Sequence, residues 1–84
     1  MYEILIEKHA ERDLKKLPTV LFQKLLPSIN NLKTNPRPLH SKKIVGSKND
    51  YRLKVGDYRI IYEIKDKARE IRIFRVRHRK EAYR

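Results

Sequence analysis

The chain has 84 residues, no cysteine and a formal charge of +12, from 22 Lys and Arg against 10 Asp and Glu. That length suits a single domain, residues 1–84, with a modest core, and the lack of cysteine excludes disulfide and thiolate-metal frameworks and suits a reducing cytoplasm. No apolar run approaches the ~20 residues that span a bilayer, and Met1-Tyr2-Glu3-Ile4-Leu5-Ile6-Glu7 does not read as a signal peptide.

The charge points to a polyanionic partner. A membrane surface would call for an amphipathic helix with bulky apolar residues opposite its cations. Here the excess leans toward the C-terminal half instead: residues 51–84 hold 12 Lys and Arg against 5 acidic residues, and residues 1–50 hold 10 against 5.

Tyr2, Ile4 and Ile6 alternate with Glu3 and Glu7, which predicts a first strand. Ala10, Leu14 and Leu17 recur at helical spacing, so residues 9–17 read as a helix that Pro18 stops. Thr19 is placed to cap a second helix reaching about Lys33. Its apolar stripe is Phe22, Leu25, Leu26, Ile29 and Leu32, and Pro27 predicts a kink. Asn35-Pro36-Arg37-Pro38 ends the helix and opens an extended loop. Residues 39–50 are mostly polar, and Ile44 and Val45 predict either a short strand or an anchor for the loop.

Residues 51–62 then read as a β-hairpin. Gly56-Asp57 suits a two-residue type II′ turn, which fixes the register. Val55 should oppose Tyr58, Lys54 Arg59, Leu53 Ile60, Arg52 Ile61, and Tyr51 Tyr62. Tyr51, Leu53, Val55, Tyr58, Ile60 and Tyr62 thus share a core face, and Arg52, Lys54, Arg59 and Ile61 share the other. The three tyrosines read as core rather than as platforms for bases. A further strand over residues 70–77 changes phase near Phe74, which calls for a bulge or for burial of both faces. The tail, residues 77–84, is densely basic. This order predicts an α+β fold: a small two-layer β-α-α-β-β-β domain, its antiparallel-rich sheet carrying a helical hairpin on one face.

Lys54 against Arg59 opposes like charges across two strands, which destabilises a sheet unless an anion sits between them or the side chains splay. The histidines His9, His40 and His78 lack ligand spacing and the acidic residues are scattered among cations, so no zinc or magnesium site is expected. Ser28, Ser41, Ser47 and Thr19 carry no nucleophile motif, and two glycines cannot build a phosphate loop. What remains is a set of cations and an aromatic: Arg52, Lys54, Arg59, His78, Arg79 and Tyr83. Arginines hold phosphate oxygens with forked donors and stabilise extra charge on phosphorus. Lys54 is the member of the hairpin set able to give up its proton and serve as general base toward an RNA 2′-hydroxyl.

Asn35-Pro36, residues 51–62 and the ending Val76-Arg77-His78-Arg79-Lys80-Glu81-Ala82-Tyr83-Arg84 resemble the RelE/ParE toxin superfamily, and its RelE-like branch in particular. The resemblance covers essentially the whole chain. It implies a toxin of a type II toxin–antitoxin system with no cofactor. RelE-like members are endoribonucleases that cut mRNA in the ribosomal A site, leave 2′,3′-cyclic phosphate and 5′-hydroxyl ends, and so inhibit translation. The resemblance implies catalytic roles for Arg52, Lys54, Arg59, Arg79 and Tyr83, and RNA contacts for Arg77, His78 and Lys80. Tyr83 would stack on the substrate base, and Arg79 would protonate or neutralise the leaving 5′-oxygen. Position 52 is Arg where that branch has a lysine, and Arg79 lies closer to Tyr83 than in that branch. The resemblance also implies a RelB-like antitoxin, joined in a heterotetramer, and places the first strand beside the last. Two alternatives remain: a ParE-like inhibitor of DNA gyrase, and a non-catalytic domain that binds antitoxin or nucleic acid.

Overall fold

The computed structural model describes residues 1–82. In chain order they form β1 (Glu3–Ile6), α1 (Lys8–Lys15), α2 (Thr19–Asn31), β2 (Ser41–Lys43), β3 (Asp50–Val55), β4 (Tyr58–Lys65), β5 (Glu70–His78) and α3 (Arg79–Ala82). The strands make one sheet in the order β1-β5-β4-β3-β2. β1 runs parallel to β5, and the other neighbours are antiparallel.

The hairpin has the expected register at all five pairs from Tyr51–Tyr62 to Val55–Tyr58. Gly56 takes φ 58°, whereas Asp57 is not among the non-glycine residues with positive φ. That combination is the type II′ turn, whose twist matches the strands it joins. Gly56 also lies close under Lys24 of α2, where a Cβ would come within 3.3 Å of Nζ.

The phase change in β5 is a bulge. Ile61 pairs with Arg75 and Tyr62 with Ile73, so Phe74 is the extra residue. Without it, Val76 would face away from Ile71 and Ile73; with it, all three are buried. The core lies between this face of the sheet and the two helices. Ala10 and Leu14 enter from α1, Leu25 and Ile29 from α2, and Leu32 from just beyond α2. Leu53, Ile60, Tyr62, Ile64, Ile71, Ile73 and Val76 meet them from the sheet.

Several expectations are corrected. The sheet has a fifth strand, β2, and it forms from Ser41–Lys43 rather than from Ile44 and Val45. Ile44 donates its N–H to the Asp50 carbonyl at 2.8 Å, whereas Val45 is 99% exposed and anchors nothing. Thr19 begins α2 instead of capping it; Pro18 holds the cap position, with no side-chain bond. Leu26 is 46% exposed, because a helix on a two-layer sheet buries only one stripe. A four-residue helix, α3, forms at the start of the basic tail.

Two polar contacts bind the elements together. The β1–β5 ladder ends at the Ile6–Ile73 pair. Farther along β5, the Asp13 carboxylate of α1 accepts the Val76 N–H at 2.9 Å and the Arg75 Nε and Nη2 at 2.9 and 3.1 Å. It thereby satisfies an edge donor that no strand reaches. Burial pushes the Asp13 carboxyl up, but the bonds from Arg75 and Val76 and the charges of Arg75 and Arg77 outweigh it and hold the group below the ordinary carboxylate value. At the other end of the sheet, buried Tyr62 donates its hydroxyl to the Pro36 carbonyl at 2.7 Å, tying the α2–β2 loop to β4. Burial pushes that phenol up to about 12.

A depressed carboxylate adds stability that is present above its unfolded value and is lost as pH falls through its folded value. Asp13→Ala is expected to cost about 1–2 kcal/mol at pH 7, a figure moderated by the partial exposure of Arg75. The gap from the parent should begin to shrink below about pH 4, where the unfolded chain's carboxyl takes up its proton, and close as pH falls through the lower folded value; urea unfolding at pH 7 and pH 3 measures both. Tyr62→Phe should lower stability by about 1 kcal/mol at pH 7, read by the same titration.

Candidate functional site

The sheet face turned away from α1 and α2 collects the cations. Alternation sends Lys42, Arg52, Lys54, Arg59 and Arg77 to this side while their strand neighbours enter the core. Three cross-strand pairs are cation against cation: Lys42–Arg52, Lys54–Arg59 and Arg59–Arg77. Two like charges ~5 Å apart repel by about 1 kcal/mol in water-like surroundings and about 3 kcal/mol where the effective dielectric constant is ~20. Like charges opposed across paired strands destabilise a sheet, and an anion on this face would relieve the repulsion.

His40, Lys42, Arg52, Lys54 and Arg59 line one hollow of about 330 Å³. Lys54 is exposed and Arg52 half-buried. Arg59 is only 8% exposed, and its Nη1 donates to the carbonyls of Gly56 and Tyr58 at 3.0 and 2.9 Å. These carbonyl dipoles stabilise its charge from behind and fix the guanidinium at the turn. Arg59 is thus both a wall of the hollow and a brace for the hairpin.

The tail approaches from the turn side. Arg79 donates its N–H to the Asp57 carbonyl at 2.7 Å, and its Nε lies 3.8 Å from the Asp57 carboxylate. Arg77 opposes Arg59 and has Nη2 3.9 Å from the Glu81 carboxylate. Lys80 is exposed on α3 and donates its N–H to His78 Nδ1 at 3.2 Å. Tyr83 lies outside the described residues.

The sequence-selected residues do not all meet. Arg52, Lys54 and Arg59 share the hollow, and Arg77 is on the same face. His78 pairs with Tyr58 and lies on the helix-covered face, its ring edge-on to Tyr58 at 5.5 Å. There it helps line a separate cavity of about 320 Å³ with Leu21, Lys24, Leu25, Val55, Asp57 and Tyr58. Conversely, sequence reading missed His40 and Lys42. The available signal was the spacing of two between them, which puts both on one face of a strand; it becomes informative only once β2 is known to pair with β3. Among the described residues, no group of three His, Asp or Glu side chains could hold a metal ion.

Comparison with known proteins places this geometry in a family. Residues 4–83 match the model of the ParE toxin of the type II toxin–antitoxin system parDE. The RelE1 protein of Methanocaldococcus jannaschii is 34% identical over 85 residues, covering 98% of this chain and 94% of that protein. Among solved structures, RelE in the archaeal RelE–RelB complex of Pyrococcus horikoshii OT3 has a TM-score of 0.83 at 28% identity, over 95% of this chain and 97% of that one. The RelB–RelE antitoxin–toxin complex of Methanococcus jannaschii gives a TM-score of 0.75 at 32% identity, over 94% of both chains. With the fold, nearly the full length and the sequence all in agreement, this chain belongs to the RelE/ParE toxin superfamily of type II toxin–antitoxin systems.

Proposed function

We propose that this toxin is a ribosome-dependent, metal-independent endoribonuclease that cuts mRNA in the ribosomal A site, leaving 2′,3′-cyclic phosphate and 5′-hydroxyl ends and halting translation. The observation that carries this reading is the cationic hollow on the open sheet face, with a lysine among arginines at its wall. The nucleophile is the RNA's own 2′-hydroxyl, so the protein has to supply a proton acceptor and charge stabilisation rather than an activated water. Lys54 takes the hydroxyl proton. Arg52 and Arg59 bind the scissile phosphate, and Arg79 adds charge from the turn side. Tyr83 stacks on the base, while Arg77 and Lys80 contact the RNA backbone around the turn; His78, turned to the helix-covered face beside Tyr58, takes no part in that contact. The whole chain acts as one toxin domain in the cytoplasm, where ribosomes translate.

The +12 charge supports the reading, since neutralised phosphates release counterions and a ribosome presents phosphates in abundance. It equally suits a RelB-like antitoxin with acidic segments, which would assemble with this chain in a heterotetramer. The RelE relatives solved as complexes with RelB support that partner. One observation favours a second reading, inhibition of DNA gyrase: the matching family model is that of a ParE toxin.

Primer extension on an mRNA, with and without translating ribosomes, separates these. Cuts within codons are expected only when ribosomes are present. Lys54→Ala and Arg52→Ala should each slow cutting by about 10²–10³-fold, as for other preorganised groups. These two are better probes than Arg59→Ala, which would also remove the brace of the turn. Undiminished cutting by Lys54→Ala would remove it as the base, and absence of cutting together with inhibited supercoiling would establish the gyrase reading.

A further inference from the structure

His40 occupies an unusual backbone position. Ser41 donates both its N–H and its hydroxyl to the Pro38 carbonyl, at 3.1 and 2.6 Å, closing a turn over Pro38, Leu39, His40 and Ser41. His40 is the third residue of that turn, with φ 75°. Glycine is the usual occupant of such a position, and a side chain there costs on the order of 1–2 kcal/mol. Packing does not explain the choice, because His40 is exposed.

The turn is firmly held. Arg37 donates Nε to the Tyr51 hydroxyl at 3.1 Å and Nη2 to the Asp66 carboxylate at 2.9 Å. The Tyr62 hydroxyl holds the Pro36 carbonyl, and the His40 carbonyl itself accepts the Lys54 N–H at 3.1 Å. β3, β4 and the turn after β4 thus fix a short loop whose tip brings an imidazole to the wall of the cationic hollow. The charged groups facing it there are Lys42 of β2, Arg52 and Lys54 of β3, and Arg59 of β4.

The cyclising cleavage proposed above needs a proton for its leaving group, a role that the resemblance gives to Arg79. The 2′-oxygen gives its proton to the Lys54 amine and forms a bond to phosphorus. The bond from phosphorus to the 5′-oxygen then breaks, and that oxygen needs a proton. Arginine holds its protons too tightly to donate one readily. An imidazole exchanges protons near neutral pH. We propose that His40 is the general acid of the site: its imidazolium donates the proton to the leaving 5′-oxygen and becomes neutral, and solvent later restores both His40 and Lys54. This assignment rests on the endoribonuclease reading and extends it to a residue outside the hairpin and the tail.

The test uses a synthetic mRNA on programmed ribosomes, with sulfur in place of the bridging 5′-oxygen at the cut site. A thiolate leaves without being protonated, so this substrate bypasses a general acid. His40→Asn retains a residue that tolerates positive φ, and His40→Gly removes the backbone strain altogether. On the ordinary mRNA both variants should cut about 10²-fold or more slowly than the parent. On the sulfur substrate both should come within about threefold of it, as expected once protonation no longer limits the rate. Melting temperatures at or above the parental value for His40→Gly show that the fold is intact. Parental rates on the ordinary mRNA would overturn the assignment, as would equal slowing on both substrates by a folded variant. If the parent itself cuts neither substrate, the endoribonuclease reading fails and the assignment falls with it.

Discussion

The register of the β3–β4 hairpin decides which side of this protein is core and which is charged. Leu53, Ile60 and Tyr62 are buried only because Lys54, Arg59 and Ile61 point the other way. A slip of one residue would invert every side chain, pushing Lys54 and Arg59 toward the helices and Leu53 and Ile60 into water. The type II′ turn at Gly56-Asp57 prevents this, since a two-residue loop permits one register. Arg59 strengthens the same turn through its bonds to Gly56 and Tyr58. A residue of the charged face therefore helps maintain the division on which that face depends.

Around this hairpin the sheet meets two geometric demands in different ways. β5 must bury Ile71, Ile73 and Val76, whose spacing does not fit a regular strand, and the extra residue Phe74 reconciles them. β5 must also be covered along an edge that β1 only partly reaches. Asp13 completes that edge from a helix, using a carboxylate where a strand would use a carbonyl. The bidentate bond to Arg75 compensates the partly buried charge, so helix, strand end and open face are linked by one side chain.

Stacking like charges on four neighbouring strands opposes folding, and the molecule tolerates it through exposure and local compensation. Lys54 stays in water, where repulsion is screened. Arg59 is buried but bonded to carbonyls. Asp57 and Glu81 stand near Arg79 and Arg77 at the turn side. The hollow itself is lined by cations and one imidazole, so a bound phosphate would remove repulsion as well as gain attraction. The loop that carries His40 is ordered by a separate set of bonds, which isolates the site's geometry from its charge.

Local chemistry by itself determined the hairpin, its turn and its face assignment, because Gly56, strict alternation and a two-residue loop leave no other arrangement. It also determined the buried stripes of α1 and α2, with the exception of Leu26, and the irregularity at Phe74, since periodicity is a property of adjacent residues. Only the tertiary structure decided what depends on pairing between distant segments. β2 has no apolar alternation of its own; Ser41–Lys43 becomes a strand because the free edge of β3 offers it backbone partners. That pairing brings Lys42 opposite Arg52 and His40 beside Lys54, and the spacing of two between His40 and Lys42 acquires meaning only through it. The same holds for His78: the register of β5 against β4, shifted by the bulge, puts it on the helix side with Tyr58 and not with the arginines beside it in sequence.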